Sequence, residues 1–212
     1  EQLSILENKF NQNLVHIDEE QGLIVNSIED LEGLEDDEIE IAKQRAQKQG
    51  LEEGKYVLGL VNTSRNPLLI RLKKREIREK LWKESTQRGL SGKYQQCTIV
   101  REIITIRAQI AKLMKFPNFA TKELLQEMAK TPDAALKMLS DMLPGVISSL
   151  KLEKDDLAQQ MSKETSQDIE KCVIEPWDWE YYQEKVRMAK YDIDTNISRQ
   201  YFSYNNILEK GV

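Results

Sequence analysis

The chain has 212 residues, 40% hydrophobic and 32% charged, with 31 lysines and arginines against 36 aspartates and glutamates for a formal charge of −5. That length buries a core of its own, and the composition is globular rather than disordered. A mildly acidic surface of mixed sign argues against nucleic acid or anionic lipid as a partner, and no apolar run reaches the roughly 18 to 20 residues of a membrane span. Cys97 and Cys172 are the two cysteines, too few for a disulfide framework and consistent with free thiols in a reducing compartment. No signal peptide opens the chain, and Glu1 in place of methionine leads us to expect that the native N-terminus lies upstream.

Leu3, Leu6 and Phe10 recur at spacings of three and four, so the chain opens inside an amphipathic helix. Leu23-Ile24-Val25 reads as a brief strand. Glu38 to Gln49 reads as a charged helix with a thin apolar face (Ile39, Ala42, Ala46), stopped at Gly50. Tyr56 to Val61 is the best strand in the sequence and is expected to pair with residues 23–25. Asn66-Pro67 has the form of an N-cap followed by a first helical residue. A helix over Arg75 to Arg88 turns Ile77 and Leu81 inward, with Trp82 beside them, and a loop follows through Gly92.

Thr98 to Lys115 carries Ile99, Ile103, Ile106, Ile110 and Leu113 as one apolar seam, predicting a core helix. Pro117 breaks it, and Asn118 caps a helix expected to bury Leu124, Leu125 and Met128. Thr131-Pro132-Asp133 starts another helix, striped by Leu136, Leu139, Leu143, Ile147 and Leu150, with Pro144 expected to kink rather than end it. Lys151 to Lys171 reads as a mostly solvated helix anchored by Leu152, Leu157, Met161 and Ile169. Asp178 is placed to cap a helix whose Trp179, Tyr182, Val186 and Ala189 face inward, with Trp177 and Tyr181 against the preceding turn. Short helices are expected after Asp194 and over Asn206 to Lys210. The expected fold is mostly α, a kinked multi-helix bundle with one small β-hairpin or two-stranded sheet. Residues 1–66 would form a helix plus the β element, and residues 67–212 the bundle.

Catalytic chemistry is hard to find in these residues. His16 is the one histidine, so a His-Glu-x-x-His pair is impossible, and a zinc site normally needs two or three imidazoles. His16-Ile17-Asp18-Glu19-Glu20 reads as a polar turn after a helix more readily than as a metal site. There is no Gly-x-Ser-x-Gly elbow and no phosphate loop, and neither cysteine has a histidine near it in sequence. The acid pairs Asp36-Asp37 and Asp155-Asp156 point different ways on a helix. The aromatic group from Trp177 to Tyr182 reads as core. Arg65-Asn66-Pro67 reads as turn chemistry, and the basic run from Arg71 to Arg75 as a solvated face.

Lys55-Tyr-Val-Leu-Gly-Leu-Val-Asn-Thr-Ser-Arg-Asn-Pro67, followed by Arg75-Glu-Ile-Arg-Glu-Lys-Leu81, resembles the thimet oligopeptidase and neurolysin family of zinc metallopeptidases. Further similar stretches follow in family order: Ile106-Arg-Ala-Gln-Ile-Ala-Lys-Leu113, Phe116-Pro-Asn-Phe-Ala120, Met128-Ala-Lys-Thr-Pro132, Pro176-Trp-Asp-Trp179, Tyr182 with Lys185, and Tyr201-Phe202. The Asn-Thr-x-x-x-Pro and Pro-Trp-Asp-Trp forms resemble the bacterial peptidyl-dipeptidase branch, whereas Lys151 to Ile174 matches poorly.

The resemblance implies a largely helical enzyme with a deep channel between two halves. In such an enzyme one zinc ion is held by a His-Glu-x-x-His helix and a later glutamate, all C-terminal to Val212. It therefore assigns no catalytic, cofactor-binding or metal-binding residue within these 212. The chain is expected to be an internal, non-catalytic helical piece forming a wall of the channel in an enzyme that removes C-terminal dipeptides from short peptides. The alternative is a stand-alone helical interaction module. Expected partners are short peptides and the remainder of the same chain. A homodimer would form through apolar ends left exposed at Leu3, Leu6 and Phe10 and at Tyr201, Phe202, Ile207 and Leu208. The expected location is cytoplasmic, with the periplasm as the alternative.

Overall fold

Short β-branched and aromatic runs flanked by glycines make the β element, and amphipathic segments make everything else. The computed structural model describes residues 1–191 and 207–208. The expected helix after Asp194, and Tyr201 and Phe202, lie outside the described residues. Ile207 and Leu208 are helical and exposed. Strand β1 (Leu23–Val25) pairs antiparallel with β2 (Tyr56–Leu58), Ile24 opposite Val57. The helices are α1 (Gln2–Glu20), α2 (Asp36–Lys48), α3 (Asn62–Arg71), α4 (Arg75–Thr86), α5 (Cys97–Leu113), α6 (Phe119–Leu124), α7 (Pro132–Thr165) and α8 (Trp179–Tyr191), with 3₁₀ turns at Ile28–Leu31 and Ile169–Lys171. The fold is mostly α with a single two-stranded sheet among the described residues.

Two apolar clusters organise the chain. In the first, Val25, Leu58, Leu69, Leu72, Ile77 and Leu81 bring the sheet, α3 and α4 together over the thin face of α2. The second gathers Leu157 and Met161 of α7 with Cys172, Ile174, Tyr181 and Tyr182. Helix α1 packs along α5, and α8 packs against both α3 and α7.

Several local expectations are corrected. The Asn66-Pro67 pair does not begin a helix: α3 starts at Asn62 after Val61, and Pro67 lies inside it. Burial of Leu68, Leu69 and Leu72 compensates for the hydrogen bond that Pro67 cannot donate, and Asn66 accepts from the Arg65 guanidinium instead of capping. Along α5, Ile99 and Ile103 are buried, Ile106 and Ile110 are half-buried, and Leu113 is 82% exposed, because α1 covers one side of the seam and leaves its far end open.

Asn118 caps α6 through Thr121 N–H as expected, but α6 ends at Leu124, and Leu125 and Met128 are exposed rather than buried. Thr131 accepts from Ala134 N–H to start α7, which passes Pro144 unbroken and ends at Thr165 with Ser166 in the left-handed conformation. The two helices expected on either side of residue 150 are therefore one, and Leu152 and Ile169 are exposed rather than anchors. In α8, Tyr181 is buried with Tyr182, while Ala189 is exposed. Leu3, Leu6 and Phe10 are half-buried, with α1 packed along α5, while Ile5 and Val15 of the same helix are exposed.

Candidate functional site

Arg75 and Arg78 lie three residues apart at the start of α4, so their guanidinium groups reach the same side of the helix. Opposite them Asp178 ends the turn before α8, with no exposed surface. Its carboxylate does not cap α8. It accepts from Arg75 Nε at 3.0 and 3.1 Å, Arg75 Nη2 at 2.7 Å, Arg78 Nη2 at 3.1 Å and the Glu175 backbone N–H at 3.2 Å. Arg78 is 1% exposed and also donates through Nη1 to the Leu72 and Lys73 carbonyls, 2.8 Å each, just beyond α3. Its guanidinium sits 4.1 Å from the Tyr181 ring centroid, an attractive cation–π position. This polar knot bridges the two apolar clusters, because Arg78 belongs to the helix of the first and Tyr181 to the second.

The knot extends outward. The Tyr181 hydroxyl donates to Glu164 at 2.8 Å, and Lys185 pairs with the same carboxylate at 3.0 Å. Burial, reinforced by the bond to Glu164, pushes the Tyr181 phenol up to about 12, and burial raises Tyr182 as well. Burial alone would raise the Glu164 carboxyl, but the Tyr181 and Lys185 hydrogen bonds outweigh it and hold the group below its usual range. The two carboxylates are taken up by arginine, lysine and tyrosine donors, so the arrangement is a clamp joining α4, α7 and α8.

Phenols whose folded pKa lies above the unfolded value of 10 stabilise the fold fully below pH 10, and that stability is lost as pH rises toward 12. We expect urea-unfolding free energy to fall between pH 10 and 12, with a shallower fall in the Tyr181→Phe/Tyr182→Phe variant. Identical slopes for variant and parent would remove the tyrosines from this account.

The basic run from Arg71 to Arg75 is partly solvated, with Lys73 and Arg75 exposed, and its charges are paired. Arg71 pairs with Glu38 at 2.6 Å, Lys73 with Glu32 at 3.0 Å, Lys74 with Asp30 at 2.7 Å and Arg75 with Asp178. The His16 to Glu20 run is the last turn of α1 rather than a turn after it. His16 stacks on Tyr94, Asp18 pairs with Arg88 at 2.9 Å, and Glu20 accepts from the Tyr94 hydroxyl. Among the described residues no group of three or more histidines, cysteines or acids is placed to hold a metal ion. Cys97 is exposed and Cys172 buried, both as free thiols. Asp156 pairs with Lys190.

Among the concavities on the described surface, two lie beside α5 and α2. One, of about 860 Å³, lies where α5 turns into α6, between Ile104, Arg107, Lys115 and Phe119. The other, of about 260 Å³, lies between α2, β2 and α3, where Arg45 packs on Gly59. The largest apolar exposure is on α7, where Leu136, Leu139, Leu143, Ile147 and Leu150 stand in solvent. No described helix is long and apolar enough to cross a membrane.

Comparison with known proteins supplies what the geometry alone does not. The model of peptidase family M3 matches residues 68–212. Dipeptidyl carboxypeptidase of Escherichia coli (strain K12) is 33% identical over 208 residues, which cover 98% of this chain and 30% of that protein. The dipeptidyl carboxypeptidase of Salmonella typhimurium matches over the same span at 33%. Oligopeptidase A of Haemophilus influenzae is 25% identical over 211 residues, 97% of this chain and 30% of its own length. The chain thus spans about 30% of the length of these relatives.

Proposed function

The chain belongs to peptidase family M3, and from that premise we propose that it is the non-catalytic helical part of a zinc metallopeptidase that removes C-terminal dipeptides from short peptides. The observation that carries this reading is the 33% identity to a dipeptidyl carboxypeptidase along 98% of this chain. Its residues supply the wall of a substrate channel, and the metal-binding and catalytic groups come from the rest of the enzyme. A narrow channel admits short or unfolded peptides and rejects folded proteins. The donor set supports the division of labour, since one histidine cannot assemble the ligands a catalytic zinc needs. The zinc, when bound elsewhere in the enzyme, activates a water for attack on the peptide carbonyl. In that role this chain's helices position and enclose the substrate. Two free thiols favour a cytoplasmic setting.

The test compares the 212-residue chain with the full-length enzyme that contains it. The short chain should hydrolyse no peptide and retain well under one equivalent of zinc after dialysis, roughly 0.1 or less. The full-length enzyme should release dipeptides from the C-termini of short peptides and lose that activity to a chelator. Chelator-sensitive hydrolysis by the short chain, or a full-length protein that releases no dipeptide, overturns the reading.

A further inference from the structure

The first half of α7 is built like a buried helix, yet nothing among the described residues covers it. At 100° per residue, the apolar side chains from Met138 through Met142, Leu139 and Leu143 to Ile147 sweep roughly half the circumference. Lys137, Asp141, Ser148 and Lys151 lie on the remainder, together with Pro144 and the exposed Leu152. Met138, Leu139, Met142 and Leu143 are all more than half exposed, and Ile147 is 43% exposed. A helix lying on one neighbour needs an apolar stripe of only about 100°. An arc near 180° suits a helix gripped from two sides.

The backbone points the same way. Pro144 sits inside this stretch and removes an intrahelical hydrogen bond, which destabilises a helix left to itself. Such a helix persists when tertiary packing holds it, because propensity alone supports even proline-free helices weakly.

We propose that residues 132–152 are a wedge inserted between two elements of the remaining part of the full-length family M3 peptidase chain, in cis. This rests on the reading that the chain belongs to a longer peptidase, and it deepens that reading by naming the surface through which the two parts join. The relatives supply the occupant: they match this chain along 98% of its length, and the match covers 30% of theirs, so most of each relative's chain lies outside the match. A second copy of this chain fits less well. A two-fold contact between two copies of α7 uses one stripe on each helix and leaves the Met138 edge or the Ile147 edge in water.

The experiment is thiol labelling of the full-length protein in a Cys97→Ser background, which removes the exposed native thiol. Single cysteines replace Met138, Ile147 and Ser148 in turn, and labelling with a water-soluble maleimide is timed in native buffer and in urea. Met138→Cys and Ile147→Cys lie on opposite edges of the arc, and both should label about 100-fold or more slowly than Ser148→Cys in native buffer. All three should label alike once unfolded. Equal native rates at the three positions overturn the proposal. So does protection at one edge that disappears on dilution, which is the signature of a second copy. Dipeptide release by the same preparations is measured in parallel. Protection without peptidase activity leaves the wedge standing and sinks the enzymatic reading, whereas activity without protection does the reverse.

Discussion

Asp178→Ala should destabilise the chain by about 3 to 5 kcal/mol, the loss expected when one partner of a buried ion pair is removed and the other stays behind. The residue left behind is Arg78, which is 1% exposed and would then keep only the Leu72 and Lys73 carbonyls and the Tyr181 ring as company. At roughly 2 to 4 °C per kcal/mol for a chain of this size, the melting temperature should fall by roughly 6 to 20 °C.

Arg75 makes the contrast. Its side chain is 43% exposed, so water re-solvates what Arg75→Ala leaves behind, and the expected cost is about 1 kcal/mol. Arg78→Met in the Asp178→Ala background removes the stranded charge and should restore part of the loss, because an apolar replacement of similar length suits that site. Chemical denaturation of the four proteins decides the matter. If Asp178→Ala and Arg75→Ala cost the same, the buried pair is not what joins the two clusters.

Much of the fold was legible because helical periodicity and turn residues act locally. The pairing of residues 23–25 with 56–58, the Asn118 cap and the Thr131 start of α7 each depend on a few neighbouring residues and were found where expected. Periodicity says which side of a helix is apolar, not whether anything lies against it. That is why Leu125, Met128 and the α7 stripe are exposed although their spacing suggested burial. The Asn66-Pro67 pair misled for the opposite reason: a strong local cap signal lost to the packing of Leu68, Leu69 and Leu72.

The clamp was the least legible feature. Asp178 lies 100 residues from Arg78, and nothing in the spacing of either reveals the other. The one available signal was Arg75 and Arg78 at a separation of three, the first of them at the end of a run that reads as surface charge. The resemblance at Pro176-Trp-Asp-Trp179 marked the right turn without saying what its acid does.

Gly33→Ala should cost about 2 to 4 kcal/mol, and the reason lies in how the first 3₁₀ turn meets the end of α3. Gly33 has φ +101°, a conformation that side chains make strained, and a Cβ placed there would sit 2.1 Å from the Arg71 carbonyl oxygen and 3.1 Å from Lys73 Cγ. Strain of about 1 to 3 kcal/mol is expected from the backbone alone. Relieving the collision must push the turn away from α3, which threatens the 2.9 Å bond from Lys73 N–H to the Glu32 carbonyl and another 0.5 to 1.5 kcal/mol or so.

Gly50→Ala separates the two contributions. Gly50 has φ +72°, but an added Cβ there meets nothing within 4 Å, so strain acts alone and the cost should stay near 1 kcal/mol. The Leu72 and Lys73 carbonyls that Gly33→Ala would displace are those that hold Arg78. The Gly33→Ala and Asp178→Ala costs should therefore combine non-additively, with a coupling of at least about 0.5 kcal/mol, whereas Gly50→Ala and Asp178→Ala should simply add. Urea denaturation of the two double-variant cycles measures both couplings. Equal couplings would mean that the turn at Gly33 and the clamp at Asp178 are independent.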